Sequence, residues 1–421
     1  MLNNARALYQ VMHDAKLSRS KLDDLVYRRL REVLVSAYQK VPYYRELMQS
    51  VGYNPIQEYS GPEDLSKLPI TTKEILKQKG YKAFVKEGAD LSGCFRDSTS
   101  GSTGIPLTVY RAPYERAVQM AKWLRVLFSV HHKVMSLTSP SRLSVGRSII
   151  QRFGILRRMA IDYLCSPEEM ADAFLDYEPD VLYGNRSHLD LMALELKRRG
   201  IHYQGLKLLI ATAEVIGESS RQLYREYFGI ELVESYGSVE MGVMAYETPA
   251  HDGLHLCEDL TYFEFLDEEG LPVAPGKPGR VVVTDLMGTL MPFIRYSQGD
   301  FVLFEYIDAA IRGVSRVLTQ ITGREDDHVV LPDGTRRSFH DFYEVMHECS
   351  GVGQFRVIQR SRGNFQILVV ATNSYFLCIR DEIVRRLQMK FPATVSFEIT
   401  QVERIAPDPS GKIRMLISEV E

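Results

Sequence analysis

From Pro167 to Glu234 the chain reads PEEMADAFLDYEPDVLYGNRSHLDLMALELKRRGIHYQGLKLLIATAEVIGESSRQLYREYFGIELVE. Apolar residues fall at helical spacing over 167–176, 187–199 and 217–228. Between those segments lie short apolar runs: Val181-Leu182-Tyr183, Leu206–Ala211 and Ile230–Glu234. Strands that alternate with helices in this way build a largely parallel sheet with helices on its faces.

Upstream, Leu22, Leu25, Val26, Leu30, Val33, Leu34 and Tyr38 mark a helix within residues 20–50, interrupted at Pro42. Thr71-Thr72-Lys73-Glu74 resembles a helix start, with Thr71 as the cap and Glu74 three residues on. Residues 114–130 read as helix, and 130–150 stay open between strand and loop. Downstream of about residue 253 the pattern changes. Tyr262–Leu266, Arg280–Thr284 and Phe301–Glu305 are strand-like with Gly and Pro between them, as in an antiparallel β subdomain. Beyond Gly323, strands Phe355–Gln359 and Phe365–Val370, a helix over 375–391 and a strand Thr394–Thr400 make a β-β-α-β unit. The expected fold is α/β. A large, multi-subdomain N-terminal domain, residues 1–323, carries largely parallel sheets and a β subdomain; a small α+β domain covers 324–421.

The 421 residues are 45% hydrophobic and 25% charged, a mix that can bury sizeable cores. With 51 basic against 54 acidic residues, the net charge of −3 offers no electrostatic footprint for nucleic acid. Five scattered cysteines (Cys94, Cys165, Cys257, Cys349, Cys378) without a C-x-x-C argue against a disulfide framework and fit a reducing compartment. No apolar signal core opens the chain, and no run approaches the roughly 18 apolar residues of a membrane span. The expected location is cytoplasmic.

The densest chemical signal is Ser98-Thr99-Ser100-Gly101-Ser102-Thr103-Gly104-Ile105-Pro106. Glycines let backbone N–H groups approach an anion, and the hydroxyls add donors. The Walker pattern is absent because no Lys follows Gly104. Alone, the segment reads more readily as a flexible Ser/Gly surface loop than as a phosphate site. Downstream stand Tyr236-Gly237-Ser238-Val239-Glu240-Met241-Gly242, then Arg295-Tyr296-Ser297-Gln298-Gly299-Asp300, Gly323-Arg324-Glu325-Asp326-Asp327 and Pro409-Ser410-Gly411-Lys412. In this order the motifs resemble the adenylate-forming superfamily of acyl-CoA synthetases, luciferases and adenylation domains. The branch they resemble is that of the phenylacetate–CoA ligase-like proteins, including capsule-biosynthesis relatives. Val41-Pro42-Tyr43-Tyr44-Arg45, Leu68-Pro69-Ile70-Thr71-Thr72-Lys73, Gly253-Leu254-His255 and Pro292-Phe293-Ile294-Arg295-Tyr296 extend the likeness over nearly the whole chain.

The resemblance implies roles. Thr99, Ser100, Gly101, Ser102, Thr103 and Gly104 would hold the phosphates of ATP, and Glu240 would hold Mg²⁺, a hard cation suited to carboxylate and phosphate oxygens. Ala213, Glu214, Val215, Ser235, Tyr236 and Gly237 would face adenine and ribose. Asp300 would accept both ribose hydroxyls, with Arg324 nearby. Asp326 would be the pivot about which the small domain turns, and Lys412 the mobile adenylation lysine. Taken singly, Tyr236 also reads as a core tyrosine, Asp300 as a turn residue and Lys412 as an exposed turn residue.

Departures from the branch pattern matter too. Relatives carry cysteines before the Gly-Leu-His motif and before the hinge; here Glu247-Thr248 and a Cys-free 308–320 stand there. His251, His255 and Cys257 offer three metal donors without a fourth, so no structural zinc is expected. Ile105 and Leu107 replace polar residues, Thr212 replaces Gly, and the 142–158 region is basic. The leading expectation is an ATP- and Mg²⁺-dependent acid–thiol ligase with coenzyme A as acceptor and an aromatic or arylacetic acid as substrate. Two readings compete with it. One is adenylation followed by transfer to a carrier-protein thiol or an amine; the other is a silent nucleotide- or acyl-binding protein on this fold. Sequence does not specify the oligomeric state.

Overall fold

The alternation from Pro167 to Glu234 folds as its periodicity dictates. The helix Pro167–Tyr177 opens on a capping box, Ser166 accepting from Glu169 N while Glu169 accepts from Ser166 N. The helix Arg186–Arg199 ends on Gly200 at φ 68°, the left-handed position that closes a helix. The computed structural model describes residues 2–98, 107–127, 129–138, 151, 153–155, 157–214, 216, 218–309, 313–324, 328–339, 341–342, 345–346, 349, 352–371, 376–403, 405 and 415–420. The chain divides into two compact units, residues 1–132 with 233–321, and residues 133–232 with 322–421.

In the second unit, strands Leu208–Thr212, Val181–Asn185, Val134–Thr138 and Arg158–Asp162 lie side by side in that order, all parallel. Leu182, Leu189, Met192, Leu196, Leu209, Phe174 and Phe228 form the core between this sheet and its helices. Each such side chain, fully buried, contributes about 2 kcal/mol. Two of the four strands, Val134–Thr138 and Arg158–Asp162, fall in or beside the segment whose sequence reads ambiguously. The C-terminal part of this unit has a separate core around Phe342, Val357, Ile367, Ile383 and Phe391. Its four-stranded sheet runs Ser396–Gln401, Asn364–Ala371, Val352–Ser361, Leu416–Ser418, with the helix Phe376–Lys390. The β-β-α-β reading holds there, and Leu416–Ser418 adds an edge strand parallel to Val352–Ser361.

The first unit carries the expected β region, and it is larger than expected. Seven strands lie in the order Thr261–Leu266, Gly279–Asp285, Tyr296–Ala309, Gly313–Arg324, Leu254–Leu256, Gly242–Glu247, Leu232–Ser238. A separate antiparallel hairpin pairs Phe95–Ser98 with Thr108–Arg111. The N-terminal helical reading resolves into Arg19–Lys40 and Pro42–Ser50, because Pro42 serves as a helix start. The cap at the next start is Thr72, which accepts from Ile75 N at 3.4 Å, and not Thr71. Thr71 is wholly buried, and its backbone is spent on Arg295 O (2.8 Å) and Ser297 N (2.9 Å). Among the described residues no helix is long and apolar enough to cross a membrane.

Candidate functional site

The strands Leu232–Ser238 and Gly242–Glu247 form a hairpin in which Ser238 pairs with Gly242, so Val239, Glu240 and Met241 make the turn. Such three-residue loops close on a left-handed residue, here Gly242 at φ 68°. A Cβ on Gly237 would lie 2.4 Å from the Gly242 carbonyl oxygen, so the crossing itself demands glycine. Met241 N donates to Ser238 Oγ (3.1 Å) inside the turn.

Side chains from other elements hold all three turn carbonyls. Arg111 Nη2 donates to the carbonyls of Val239 and Glu240, the latter at 2.8 Å. Lys122 Nζ (2.8 Å) and Gln119 Nε2 (3.1 Å) donate to the carbonyl of Met241. Arg111 ends the strand Thr108–Arg111; Gln119 and Lys122 lie on the helix Pro113–Leu127. Burial pushes the Lys122 ammonium below the usual lysine range, with the carboxylate of Asp285 opposing that shift.

With its backbone fixed, the Glu240 side chain is aimed. It is 6% exposed and its Oε1 accepts from Tyr296 Oη at 3.0 Å. Among the described residues Oε2 has no hydrogen-bond partner. Glu240 lines a cleft together with Arg111, Glu115, Gln119, Asp285 and Gly288. Glu115 is consumed within the fold, accepting from Ala112 N (2.7 Å), Leu290 N (2.8 Å) and Thr289 N (2.5 Å).

Tyr296 is positioned by motifs far away in sequence. Arg295 before it sits at φ 48°, a strained left-handed conformation for a non-glycine residue. Its guanidinium pairs with Glu264 at 3.1 Å and donates to the carbonyls of Ser66 and Leu68. Ile294 N donates to Tyr44 Oη (3.0 Å), and Tyr43 Oη lies 3.5 Å from Thr71 Oγ1. The segments 41–45 and 68–73 are therefore braces for residues 294–297. On the same side of the motif series, Tyr236 Oη donates to Asp300 Oδ2 at 2.7 Å, with Asp300 following Gly299 at φ 72°. Ser235, Tyr236, Gly237, Glu240 and Asp300 thus all lie in one unit, joined by the Tyr236–Asp300 and Tyr296–Glu240 contacts.

Ala213 and Glu214 belong to the second unit. Ala213 adopts φ 69°, which favours glycine, beside the position where Thr212 replaces a glycine. The Glu214 carboxylate accepts from Ser187 N (3.0 Å) and Ser187 Oγ (2.8 Å) and lies 3.5 Å from Arg186 Nε. It therefore caps the helix Arg186–Arg199 from outside the helix. Nearby, Asp190 accepts from Arg186 (2.9 Å), Tyr224 (2.6 Å) and Ser220 (3.2 Å), while burial pushes its carboxyl up. His188 stacks on Tyr163 at 4.6 Å, and burial lowers its pKa to about 4.

Thr99, Ser100, Gly101, Ser102, Thr103, Gly104, Val215, Asp326 and Lys412 lie outside the described residues; Arg324 closes the strand Gly313–Arg324. The strands flanking 99–106 are described, with Ser98 opposite Thr108 and Asp97 opposite Val109. Of the three zinc-type donors, His255 bonds Asp252 (2.7 Å) and His251 faces Glu247 (3.5 Å), while Cys257 is buried.

Sequence reasoning missed Arg111, Asp97, Gln119 and Lys122, and assigned no role to Tyr296. One signal was available. Lys122 and Arg125 fall on the same helical stripe as the buried Val118 and Ala121, where a charged residue needs a reason.

Residues 331–419 match the family model described as the CapK C-terminal domain. The phenylacetate–coenzyme A ligase of Thermus thermophilus is 27% identical over 328 residues, covering 75% of this chain and 73% of the relative. That of Aromatoleum evansii is 28% identical over 331 residues, with coverage of 75% and 73%. The crystal structure of a 2-hydroxyisobutyryl-CoA ligase in the postadenylation state with 2-HIB-AMP superposes with a TM-score of 0.78. It is 20% identical and covers 96% of this chain and 91% of its own. Fold, motif order and these likenesses agree: the chain is similar to the phenylacetate–CoA ligases over three quarters of its length and shares the fold of an acyl-adenylate-forming CoA ligase.

Proposed function

We propose that this protein joins a carboxylic acid to ATP as an acyl-adenylate and then passes the acyl group to the thiol of coenzyme A. Aromatic and arylacetic acids are the leading substrate class, in keeping with the activity of the relatives. The observation that carries the reading is Glu240. Its turn is held by three side chains, and one carboxylate oxygen is tied to Tyr296 while the other has no protein partner among the described residues. A buried carboxylate left half unsatisfied beside a cleft suits a ligand that supplies the missing contact.

In the first step a carboxylate oxygen of the acid bonds to the α-phosphorus of ATP. The bond from that phosphorus to the β-bridging oxygen breaks, and pyrophosphate leaves. Both partners are anions, so catalysis is positioning and charge offset. The hydroxyls and N–H groups of Thr99–Gly104 would bind the phosphates. Lys412 would sit between the carboxylate and the α-phosphate, and Asp300 with Arg324 would fix the ribose. The face of Tyr236 and the backbone of Ala213, Glu214 and Val215 would take the adenine, with Ser235 and Gly237 flanking it. The open Glu240 oxygen fits Mg²⁺, which when bound offsets charge on the phosphates. In the second step the thiol sulfur attacks the acyl carbon, the carbon–oxygen bond to AMP breaks, and the thiol proton goes to solvent. Residues 324–421 would act as a small mobile domain turning about Asp326 between these steps.

The test is pyrophosphate release and hydroxylamine trapping with ATP, Mg²⁺ and a panel of carboxylic acids, with and without coenzyme A. Trapped acyl groups with certain acids, lost in Lys412→Ala and Glu240→Ala and turned over faster with coenzyme A, support the proposal. Adenylation indifferent to coenzyme A assigns the acyl group to a carrier-protein thiol or an amine. A protein that binds no ATP refutes adenylate chemistry altogether.

A further inference from the structure

We infer that Arg111 is a positioning residue that ties the strands flanking the Ser/Thr/Gly segment 99–106 to the Glu240 turn, setting the two for one polyphosphate. The inference rests on the acyl-adenylate reading above and extends it to a residue that no motif contains. Arg111 is 5% exposed, and its guanidinium spends its donors in two directions. Nη1 bonds Asp97 Oδ2 at 2.6 Å, two residues before Thr99. Nη2 bonds the carbonyls of Val239 and Glu240, the latter at 2.8 Å. Arg111 itself lies on the strand after the segment, where its backbone pairs with Phe95. One side chain thereby joins the strand before the segment, the strand after it and the turn that carries Glu240.

Stability alone does not account for this arrangement. The Asp97–Arg111 pair is partly desolvated, and burying such a pair gains little over an apolar pair of the same volume. The planar fork, however, can reach a carboxylate on one side and two carbonyls on the other in fixed geometry, which a lysine cannot. A gap of about 1 Å between groups that must act on one substrate costs on the order of 100-fold in rate. The chemistry then predicts an asymmetry. Before the first step the site must hold three phosphates; after pyrophosphate leaves, only the AMP phosphate remains. A residue that aligns the polyphosphate contacts therefore weighs on acyl-adenylate formation far more than on thiol transfer.

The experiment uses the full chain with Arg111→Met, Arg111→Lys and Asp97→Asn. It measures acid-dependent ATP–pyrophosphate exchange, thioester formation from supplied acyl-adenylate, and calorimetric binding of ATP without acid. Phenylacetate serves as the acid, or whichever member of the panel supports exchange in the unaltered protein. Arg111→Met should lower the ratio of exchange to thioester formation about 100-fold and weaken ATP binding. Arg111→Lys should fall between it and the unaltered protein, and Asp97→Asn should shift the ratio the same way by a smaller factor. If Arg111→Met does not fold, the other two variants still read the ratio. The inference is overturned if both half-reactions fall together with thermal stability, or if exchange and ATP binding stay at the unaltered level. In those cases exchange by the unaltered protein leaves the acyl-adenylate reading standing. An unaltered protein that neither exchanges pyrophosphate nor binds ATP overturns both.

Discussion

Glu240 and Glu214 invite direct comparison. Each follows a strand and each belongs to a motif of the family series; the resemblance gives Glu214 to the nucleotide base and Glu240 to Mg²⁺. Glu214 spends its carboxylate inside the fold, on Ser187 N, Ser187 Oγ and Arg186. Glu240 has its carbonyl held by Arg111 and the next carbonyl, of Met241, held by Lys122, and one of its carboxylate oxygens has no hydrogen-bond partner among the described residues. A motif therefore marks a place and not a mode of use. At one place the side chain is left with an open oxygen; at the other it is a brace within the fold.

The strongest way to break this comparison is to remove the charge on Glu240 alone. Glu240→Gln retains an acceptor for the Tyr296 hydroxyl, so the fold should hold and the denaturant midpoint should not move. Acyl-adenylate formation should fall by about 10²–10³-fold, the usual cost of losing one preorganised electrostatic partner. A rate within tenfold of the unaltered protein, with lowered stability, would make Glu240 a brace like Glu214. The converse variant, Glu214→Ala, strands Ser187 N and removes one of the two carboxylates around Arg186. It should cost about 3 kcal/mol in urea unfolding of the second unit. Its effect on the rate should be smaller than that of Glu240→Gln.

A third test uses pH, because the neighbourhood of Glu214 is built for burial. His188 is 2% exposed and its pKa falls to about 4, so the folded protein holds it neutral. Between that value and the ordinary 6.5 of an unfolded histidine, the unfolded chain binds the extra proton. Stability must therefore be lost as pH falls through this window, by about 2 kcal/mol between pH 7 and 4.5. His188→Phe keeps the ring stack on Tyr163 and should abolish this share of the acid sensitivity. Urea midpoints at the two pH values decide it; equal pH slopes in both proteins would place the acid-sensitive group elsewhere.

How much of this was legible in the sequence follows from the range of the interactions. The helices Pro167–Tyr177 and Arg186–Arg199 carry their stops and starts locally, in Ser166, Glu169 and Gly200, and were read within a residue or so. Thr71 was misread as a cap because its partners, Arg295 and Ser297, lie more than 220 residues away. The strand Val134–Thr138 lies in the stretch that reads as either strand or loop, and Arg158–Asp162 carries no strand reading at all, because five residues of mixed polarity have little periodicity. In the candidate site, Tyr236, Glu240 and Asp300 were marked by motif, yet the cradle of Glu240 was not. Arg111 reaches its carbonyls across more than 125 residues, and no local pattern encodes such a contact.

The smallest expected effect sharpens the comparison most, because it separates two functions of one residue. Tyr236 presents an aromatic face, and its hydroxyl donates to Asp300 at 2.7 Å. Tyr236→Phe removes only the second. If the face is what adenine needs, stacking persists and the phenyl ring still fills its 7%-exposed site. What is lost is one hydrogen bond to a carboxylate, about 1.5 kcal/mol or roughly tenfold. The loss should fall on the KM for ATP: on the proposed reading Asp300 binds ribose in the ground state and the transition state alike, and uniform binding leaves kcat unchanged. A fall in kcat at constant KM would mean that the hydroxyl acts on the reacting phosphate. An unchanged KM with lowered stability would mean that Asp300, like Glu214, spends its carboxylate on the fold.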